Sequence, residues 1–520
     1  MMTKTGMLIV TNPNRFVRCI PRIQREIKNT LYIQFLTKWQ YSCLKNSSLN
    51  STKLSGPLFS KTVLSLYRNS INMSNIDVRV LLSSIRNSNI STINTKKRVE
   101  VVYFDDVLNA DEMQGFLKKC VTNRSSDCQT VSLGYQEDGS VEEKIESSGE
   151  VYDNVVLGGT FDRLHPGHKI LLSEAVLRCS KKLTVGVTNT EMLKTKKLWE
   201  LIESCATRMN NVRDFLEDVE PTLEYNIVAI GDMFGPTKDD PTFQLLVVSS
   251  ETVRGGDKVN EVRKDKGLKP LIVHSVDLLL NPNLEDELEE DKISSSTDRI
   301  RLLGRLLRRP EAREDIPKWP YIIGMIGGTA SGKSSVCKRL EALGAAHINC
   351  DLIGHNIYKK GTKVYDLVVR SFGTDILDDQ QEISRKVLAD IVFKDKSAKE
   401  RSALAKWSHK ERIRRKIKEK ATNVPALHYK PLKFAHCSRH CHEIWACIIP
   451  PEEAIIRLRE RSGLTEEQAK SRIASQPSNS IQVENANLVF CTLWKPEYTQ
   501  KQVERAWKEL NERLELNPFK

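Results

Sequence analysis

The chain has 520 residues, of which 39% are hydrophobic and 28% charged, as is typical of a soluble globular protein with more than one domain. No run approaches the ~18 consecutive apolar residues of a transmembrane helix, which argues against such a helix. The net charge of +13 favours anionic partners. The 12 cysteines are scattered, which favours reduced thiols over a secreted disulfide framework.

The N-terminal region, residues 1–120, is basic and diverges from any recognisable pattern. Residues 1–76 hold one acidic residue, Glu26. Basic residues recur there at roughly helical spacing, namely Arg15, Arg18, Arg22, Arg25 and Lys28. This composition predicts a mitochondrial address or association, and hence a cytoplasmic or mitochondrial protein, on the outer surface or in the matrix. The alternative is a merely basic or poorly ordered region, because Pro13 and Pro21 limit a helix.

Two short stretches in this region predict strands, at residues 76–83 and 98–104. No residues before 150 suggest chemistry. Residues 121–150 are rich in Ser, Asp, Glu and Gly, which predicts a linker.

From residue 151 the pattern becomes α/β, and it continues to residue 309. Strands predicted at 155–157, 183–188, 225–230, 245–250 and 270–276 alternate with helices, including those at 168–179 and 205–217. This alternation predicts a doubly wound parallel sheet, in which ligands bind at the carboxyl ends of the strands.

The first of these strands ends in a glycine turn that leads into a helix. The turn begins Gly158-Gly159-Thr160, and His165 and His168 stand where the helix starts. A helix start offers backbone N–H groups and a positive dipole to an anion. Two imidazole donors beside such a cradle, with no Lys or Ser nucleophile, favour stabilisation of a transferring phosphoryl group over covalent catalysis.

Further polar residues follow the other strands of this unit. Lys194 comes after the second strand and Arg254 after the fourth. After an acidic run at 281–292, which we interpret as a solvated loop, Ser294, Ser295 and Ser296 open a helix that carries Arg299. These residues predict a second phosphate site, and the alternative is a simple N-cap. Prolines at 310 and 317 then mark an interdomain linker, residues 310–320.

A second α/β unit, residues 321–520, opens with a strand at 321–326 and a helix at 336–343. Between them the chain reads Gly327, Gly328, Thr329, Ala330, Ser331, Gly332, Lys333, Ser334 and Ser335, which matches the phosphate-binding loop G-x-x-x-x-G-K-[ST]. Lys333 would reach the outer phosphates of ATP, and the Ser334 hydroxyl would ligate Mg²⁺.

Three further residues are candidates for this second site. Asp351 follows a strand at 346–350 and would accept a proton from an attacking hydroxyl, unless it only caps the next helix. Arg461 and Arg472 lie on helices predicted near the end of the chain, where a mobile lid would bring arginine to the phosphates. The alternative for each arginine is a solvated side chain.

The motifs together resemble known families. Residues 158–168 and 293–296 resemble the two signatures of the nucleotidyltransferase superfamily that includes phosphopantetheine adenylyltransferase. Residues 322–351, with 461–468, resemble dephospho-CoA kinase. In this order, behind a divergent N-terminal region, they resemble the animal bifunctional coenzyme A synthase family over about residues 150–520.

The resemblance implies a role for each candidate. Thr160 and His168 would hold the attacking phosphate of 4′-phosphopantetheine and the α-phosphate of ATP, and both His165 and His168 would line the nucleotide phosphates. Lys194 and Arg254 would bind the acceptor or the transition state. Ser294 to Ser296 and Arg299 would hold the outgoing pyrophosphate. Asp351 would activate the ribose 3′-hydroxyl of dephospho-CoA. Phosphorylated substrates then explain the positive charge better than nucleic acid does, and we expect no nucleic acid partner.

One segment departs from the kinase pattern. Residues 423–442 contain two prolines and four histidines, where the family has a buried strand and an acidic loop. We interpret the segment as a shifted frame, a misspliced stretch or a local divergence, and expect the central sheet to lose a strand. A metal site at His436, Cys437, His440, Cys441 and His442 is the alternative. Pro477 would end or kink the lid helix.

Three functional hypotheses follow. The first is a bifunctional transferase that makes coenzyme A from 4′-phosphopantetheine and ATP. The second is an adenylyltransferase whose kinase domain binds nucleotide without activity. The third is a scaffold or adaptor that contacts proteins or a membrane through the N-terminal region.

Overall fold

The computed structural model describes residues 3–44, 56–73, 75–134, 149–349, 359–384, 387–388, 391, 426–429 and 441–516. It divides into two compact units, residues 1–298 and 299–520. Three five-stranded sheets, all of them parallel, form the framework, two in the first unit and one in the second. The α/β fold class is therefore confirmed, with one sheet more than expected. No helix of the described residues is both long and apolar enough to cross a membrane.

The N-terminal region forms a sheet of its own. Its strands lie in the order β3-β2-β1-β4-β5, and the predicted strands at 76–83 and 98–104 are confirmed as β3 and β4. The elements are β1 Thr3–Val10, α1 Phe16–Glu26, β2 Ile27–Phe35, α2 Lys38–Leu44, α3 Ser60–Asn69, β3 Asp77–Val80, α4 Ser83–Arg86, β4 Val99–Phe104, α5 Ala110–Cys120 and β5 Arg124–Ser132.

Two expectations for this region need correction. The basic helix α1 buries Phe16, Cys19 and Ile23 against the sheet, while its arginines face outward, so it is a layer of a folded domain and not a poorly ordered segment. The stretch 121–150 is not wholly a linker, because residues 124–132 form the edge strand β5. The serine and threonine residues of this stretch favoured a linker in the prediction. They are also compatible with an edge strand, because an edge strand needs few apolar residues.

The second sheet follows the alternation read from the sequence. Its order is β10-β9-β6-β7-β8. The strands after β6 are added first on one side of it, as β7 and β8, and then on the other side, as β9 and β10. A parallel sheet with this change of side has a crevice at the carboxyl end of β6. The elements are β6 Tyr152–Gly159, α6 Pro166–Leu177, β7 Cys179–Thr188, α7 Cys205–Val219, β8 Glu224–Ile230, β9 Leu245–Ser249, α8 Val253–Asp265, β10 Ile272–Val276 and α9 Ser295–Leu302.

The two sheets of the first unit share one hydrophobic core. Leu8 of β1 and Val176 of α6 are both fully buried members of the same apolar cluster, which also contains Tyr67 of α3. Buried aliphatic side chains of this kind each contribute about 1.5–3 kcal/mol. The N-terminal sheet is therefore packed into the unit that carries the glycine turn.

The sheet of the second unit has the order β12-β13-β11-β14-β15. Its described elements are β11 Ile322–Gly327, α10 Lys333–Ala342, β12 Ala346–Asn349, α11 Lys363–Phe372, β13 Ala426–Tyr429, β14 Glu443–Ile448, α12 Pro451–Ser462, α13 Glu466–Ala474, α14 Asn479–Glu484, β15 Leu488–Cys491 and α15 Pro496–Leu516. Pro477 lies between α13 and α14, where it ends the helix as predicted.

The expectation that this sheet loses a strand is wrong. Residues 426–429 form β13, which pairs in parallel with both β11 and β12 and fills the place between them. The rest of the predicted aberrant segment up to residue 440 lies outside the described residues. Cys441 is buried, and His442 Nδ1 accepts a hydrogen bond from the Ile322 amide at 2.8 Å, so this histidine braces a strand.

The boundary between the units lies earlier than residue 309. Gly304 N–H donates to the Val489 carbonyl of β15 at 2.9 Å, and Leu307 N–H donates to the Asn487 carbonyl at 2.7 Å. Residues 299–308 therefore pack with the sheet of the second unit, although the sequence pattern placed them in the domain before it.

Candidate active sites

The turn after β6 is held in a strained backbone conformation. Phe161 and Arg163 have φ angles of 51° and 48°, in the left-handed region that residues with a Cβ seldom adopt. Asp162 between them is fully buried, and its carboxylate accepts hydrogen bonds from Arg163 Nη1 at 2.9 Å and from the Glu203 amide at 3.0 Å. Such strain persists only where the surroundings determine it, and it is concentrated at functional sites.

The two predicted histidines meet at the start of α6. His165 is the N-cap, and its Nδ1 accepts from the His168 amide at 3.4 Å. The two rings stack with centroids 3.8 Å apart. Pro166 occupies the first turn, where its fixed φ and missing N–H suit a helix start, and such a start attracts anions.

His168 is a neutral imidazole in this structure at physiological pH. Burial lowers its pKa to about 4, and the nearby Asp162 carboxylate only partly opposes that shift. Its buried Nδ1 has no hydrogen-bond partner among the described residues. A buried polar atom without a partner costs about 1–3 kcal/mol, so the site is poised for a polar ligand. A neutral imidazole can donate one hydrogen bond to such a ligand, but it carries no fixed charge.

Thr160 is fixed by a residue that the sequence did not indicate. Arg208 of α7 is fully buried and donates to the Thr160 carbonyl at 2.5 Å, the Thr188 carbonyl at 2.7 Å and the Glu203 carbonyl at 2.9 Å. The Thr160 hydroxyl itself accepts from Thr188 Oγ1 at 3.3 Å. Arg208 therefore ties the carboxyl ends of β6 and β7 together. It lies in an ordinary amphipathic helix, which offered no local signal.

The two signature stretches meet in space. Ser295 Oγ donates to the Asp162 carbonyl at 2.9 Å, although 133 positions separate the two residues. Ser294 Oγ accepts from the Thr297 amide at 3.2 Å, which confirms the N-cap interpretation for that residue. Ser296 lies in the first turn of α9, and Arg299 is buried one turn further on. A phosphate site and an N-cap are compatible here, since both use the same helix start.

The predicted cations flank this crevice without reaching the histidines. Lys194 is exposed after β7 and forms an ion pair with Glu191 at 2.7 Å. Arg254 is exposed in the first turn of α8, after β9. Because β9, β6 and β7 are adjacent in the sheet, these two exposed residues lie on either side of the turn after β6.

The second site is a closed phosphate-binding loop. Lys333 Nζ donates to the Gly327 carbonyl at 2.9 Å and also to the Gly328 carbonyl, so the lysine folds back over its own loop. Gly332 has a φ of 80°, and a Cβ there would lie 2.7 Å from Thr492 Oγ1, so only glycine fits. Thr492 Oγ1 also donates to the Ser331 carbonyl at 3.2 Å. Ser334 and Ser335 are exposed in the first turn of α10.

A residue that the sequence did not indicate contacts the phosphate-binding loop. Arg461 and Arg472 are exposed, and no contact of either with the loop is found among the described residues. Gln476 instead bonds twice to Thr329, accepting from its amide at 2.7 Å and donating to its hydroxyl at 2.5 Å. Nothing in the local pattern distinguished this glutamine. Asp351, the predicted base, lies outside the described residues.

Comparison with known proteins gives two family matches. The model described as cytidylyltransferase-like matches residues 156–301, and the model described as dephospho-CoA kinase matches residues 321–492. Phosphopantetheine adenylyltransferase of Thermococcus kodakarensis is 37% identical over 167 residues, which are 32% of this chain and 96% of that protein. Dephospho-CoA kinase of Geobacter metallireducens is 34% identical over 205 residues, 38% of this chain and 98% of that protein.

A fungal relative is longer than the part that matches. Phosphopantetheine adenylyltransferase of Saccharomyces cerevisiae is 40% identical over 166 residues, or 32% of this chain. The chain spans about half, 52%, of the length of that protein.

Fold and sites thus define a protein with two phosphate-binding sites. The first is a nucleotidyltransferase-like crevice, and the second belongs to a P-loop kinase domain. Its two α/β units match different enzyme families in a fixed order. The chain belongs to the phosphopantetheine adenylyltransferase family in residues 156–301 and to the dephospho-CoA kinase family in residues 321–492, the combination found in bifunctional coenzyme A synthases.

Proposed function

We propose that the chain catalyses the last two steps of coenzyme A biosynthesis. The first step transfers adenylyl from ATP to 4′-phosphopantetheine and yields dephospho-CoA and pyrophosphate. The second transfers a phosphoryl group from a second ATP to the ribose 3′-hydroxyl and yields coenzyme A and ADP. The observation that carries the proposal is the hydrogen bond from Ser295 to the Asp162 carbonyl, which joins the two signature stretches into one crevice.

In the first step an oxygen of the 4′-phosphate attacks the α-phosphorus of ATP in line. A bond forms between them, and the bond to the bridging oxygen of the pyrophosphate breaks. No protein nucleophile is needed, because the attacking group already carries its negative charge. The neutral His168 imidazole donates a hydrogen bond to a phosphate oxygen, together with amides at the start of α6. The exposed Lys194 and Arg254 close on the acceptor, while Ser294 to Ser296 and Arg299 take up the pyrophosphate.

In the second step Lys333 exchanges its bonds to the Gly327 and Gly328 carbonyls for phosphate oxygens of ATP. Mg²⁺ bound together with the ATP would neutralise charge on its phosphates. The exposed Ser334 hydroxyl in the first turn of α10 fits such an ion. Asp351 is the proposed acceptor of the proton from the 3′-hydroxyl.

The test is a coupled assay on the purified chain with 4′-phosphopantetheine and ATP. We expect pyrophosphate, then ADP and coenzyme A. His168→Ala should abolish pyrophosphate release, while His347→Ala, a histidine of β12 in the other unit, should not. Lys333→Ala should abolish ADP formation alone, while Lys338→Ala, exposed on the same helix, should leave both steps intact. Loss of both steps in Lys333→Ala would show that the sites are structurally coupled.

The two alternatives predict different products. An adenylyltransferase with an inactive kinase domain would release pyrophosphate but no ADP from supplied dephospho-CoA. The strand β13 supports the complete activity, because it restores the sheet that carries the phosphate-binding loop. A scaffold would be indicated if cells that carry only His168→Ala kept their normal coenzyme A content.

The composition of the N-terminal region supports a peripheral contact with an acidic surface, and with it a cytoplasmic or mitochondrial location, on the outer surface or in the matrix. The outward face of α1 presents Arg18, Arg22 and Arg25. Changing these three arginines to glutamine should reduce sedimentation of the chain with vesicles rich in acidic lipid. Sedimentation equal to that of the unaltered chain would contradict this contact.

A further inference from the structure

The buried lysine that follows His168 in α6 binds to the N-terminal sheet and not to the sheet that carries the glycine turn. Lys169 of α6 is 6% exposed, and its ammonium donates to Asp77 Oδ1 at 2.6 Å and to the Val78 carbonyl at 2.9 Å. Both partners belong to β3 of the N-terminal sheet. Successive helical residues point about 100° apart, so Lys169 faces the N-terminal sheet while its neighbour His168 faces the crevice. The rotation of α6 about its axis is thereby tied to β3.

The same strand also holds α7. Arg79 of β3 is buried and donates to Asp77 Oδ2 at 2.8 Å, to Asp214 Oδ2 at 2.8 Å and to Asp218 Oδ2 at 2.6 Å. Asp214 and Asp218 lie on α7, the helix whose Arg208 binds the Thr160 carbonyl. One pair of residues on β3 therefore reaches both helices that carry the first site.

The carboxylates in this cluster have further partners. Asp218, almost wholly buried, also accepts from Tyr32 OH at 2.7 Å and from the Lys96 amide at 2.7 Å. Lys97 Nζ lies 3.1 Å from Asp77 Oδ2. A buried ion pair stabilises little by itself, but breaking one partner leaves an uncompensated buried charge. Buried charges with this many directed bonds specify one arrangement of the elements that carry them.

We propose that the N-terminal sheet is a positioning element of the first active site: Asp77 and Arg79 of β3 fix helices α6 and α7 and thereby place His168 and Thr160 for adenylyl transfer. Asp77 and Arg79 touch no substrate in this scheme. They act through Lys169 on one helix and through Asp214 and Asp218 on the other. The N-terminal region then has a task in catalysis, whatever its cellular address.

This inference rests on the proposed function, and its first test is kinetic. Asp77→Asn in the complete chain keeps the shape of the side chain and removes its charge. We expect kcat for adenylyl transfer to fall about tenfold or more, because small displacements of reacting groups cost that much. The KM values for both substrates should change less than about threefold, since the ligand contacts remain. ADP formation from supplied dephospho-CoA should be unchanged.

The matched control is Asp153→Asn. Asp153 is an exposed carboxylate of the same unit that pairs with Lys181 at 2.7 Å near the amino end of β6, away from the crevice. Its replacement should leave kcat unchanged. An Asp77→Asn variant with the kcat of the control would overturn the proposal.

A second variant guards against simple misfolding. Asp77→Asn leaves the Lys169 ammonium buried without a carboxylate, whereas Asp77→Asn with Lys169→Met removes both charges, a replacement that is often neutral for stability. A soluble double variant with the melting temperature of the control should still show the lower kcat, because the tie to β3 is lost. Full activity in it would refute the positioning role. Insolubility of both variants would also refute it, since the network would then serve folding alone.

A third readout does not depend on turnover. The ring NMR signals of His168, assigned by comparison with His168→Gln, should move in Asp77→Asn and stay in place in Asp153→Asn. Unchanged ring signals in Asp77→Asn would overturn the proposal even if the unaltered chain makes dephospho-CoA. If the unaltered chain releases no pyrophosphate, the proposed function fails, and the ring signals still decide the positioning role.

Discussion

Arg208→Lys should weaken the first site without touching the second. The guanidinium of Arg208 serves three carbonyls, those of Thr160, Thr188 and Glu203. A lysine ammonium is a compact donor on a flexible stem and cannot match this planar fork, so we expect two carbonyls to lose their partner. A buried carbonyl that is left unpaired costs about 1–3 kcal/mol, and because only the bond to Thr188 is buried, we expect a destabilisation of roughly 1–3 kcal/mol.

The assay for this prediction separates the local effect from global unfolding. Hydrogen exchange followed by mass spectrometry should show faster exchange in peptides that cover residues 158–168 and 183–190, with little change in peptides of unit 2. The kcat for adenylyl transfer should fall at least tenfold, because the Thr160 backbone is released. ADP formation from supplied dephospho-CoA provides the internal reference.

The control for this prediction lies on the same helix. Arg213 is exposed on α7 and pairs with Glu217 at 3.5 Å, so Arg213→Lys should change neither exchange nor rate. If Arg208→Lys behaved like Arg213→Lys in both measurements, the assignment of Arg208 as the tie between β6 and β7 would be wrong.

Three further predictions concern the two sites. Burial lowers the pKa of His168 to about 4, so its ring NMR signals should titrate near pH 4. The free energy of unfolding of the first unit should fall as the pH drops from 6.5 to 4, because the unfolded chain binds the proton more readily in that range. Titration of the ring near pH 6.5 would contradict this. Gly332→Ala should weaken ATP binding by the second unit at least tenfold, because a Cβ there would meet the Thr492 side chain. Gly361→Ala, at a glycine with a similar φ of 86° and open space around it, tests backbone strain alone. Calorimetric titration with ATP compares the two variants, and an equal loss of ATP affinity in both would contradict a role for the Thr492 contact. Gln476→Ala should speed hydrogen exchange in residues 474–479 severalfold, since it breaks both bonds to the phosphate-binding loop, and unchanged exchange would show that those bonds do not restrain the lid.

The sequence pattern alone predicted a large part of the fold. The predicted apolar runs located every strand of the second sheet. The reason is clearest for the inner strands β9, β6 and β7, because a parallel strand that is covered on both faces is largely apolar. The pattern predicted no strand at β1, β2 or β15, and it was wrong at β5 and β13. β5 is an edge strand rich in Ser and Thr. β13, Ala426–Tyr429, is only four residues long and includes a histidine, so its strand character comes from pairing on both sides by β11 and β12.

The candidate sites show the same division. The sequence predicted both phosphate-binding turns, Gly158 to His168 and Gly327 to Ser335. Phosphate binding requires particular residue types at fixed spacing in the local backbone, and such a pattern is visible in the sequence. Arg208 and Gln476 were missed, since each acts through contacts with residues that are distant in the chain. Ser295 was found as a helix start, but its bond to Asp162 could not be foreseen.

By itself the sequence determined the α/β class, the order of two phosphate-handling units and the residues at their helix starts, because these features depend on hydrophobic period and local backbone chemistry. Only the tertiary structure decided that the basic N-terminal region is a folded sheet and that β3 holds the helices behind His168. The physical reason is that Asp77, Lys169 and Asp218 act through contacts with residues that are distant in the chain. A charged residue in a sequence looks solvated until folding buries it against its counter-charge.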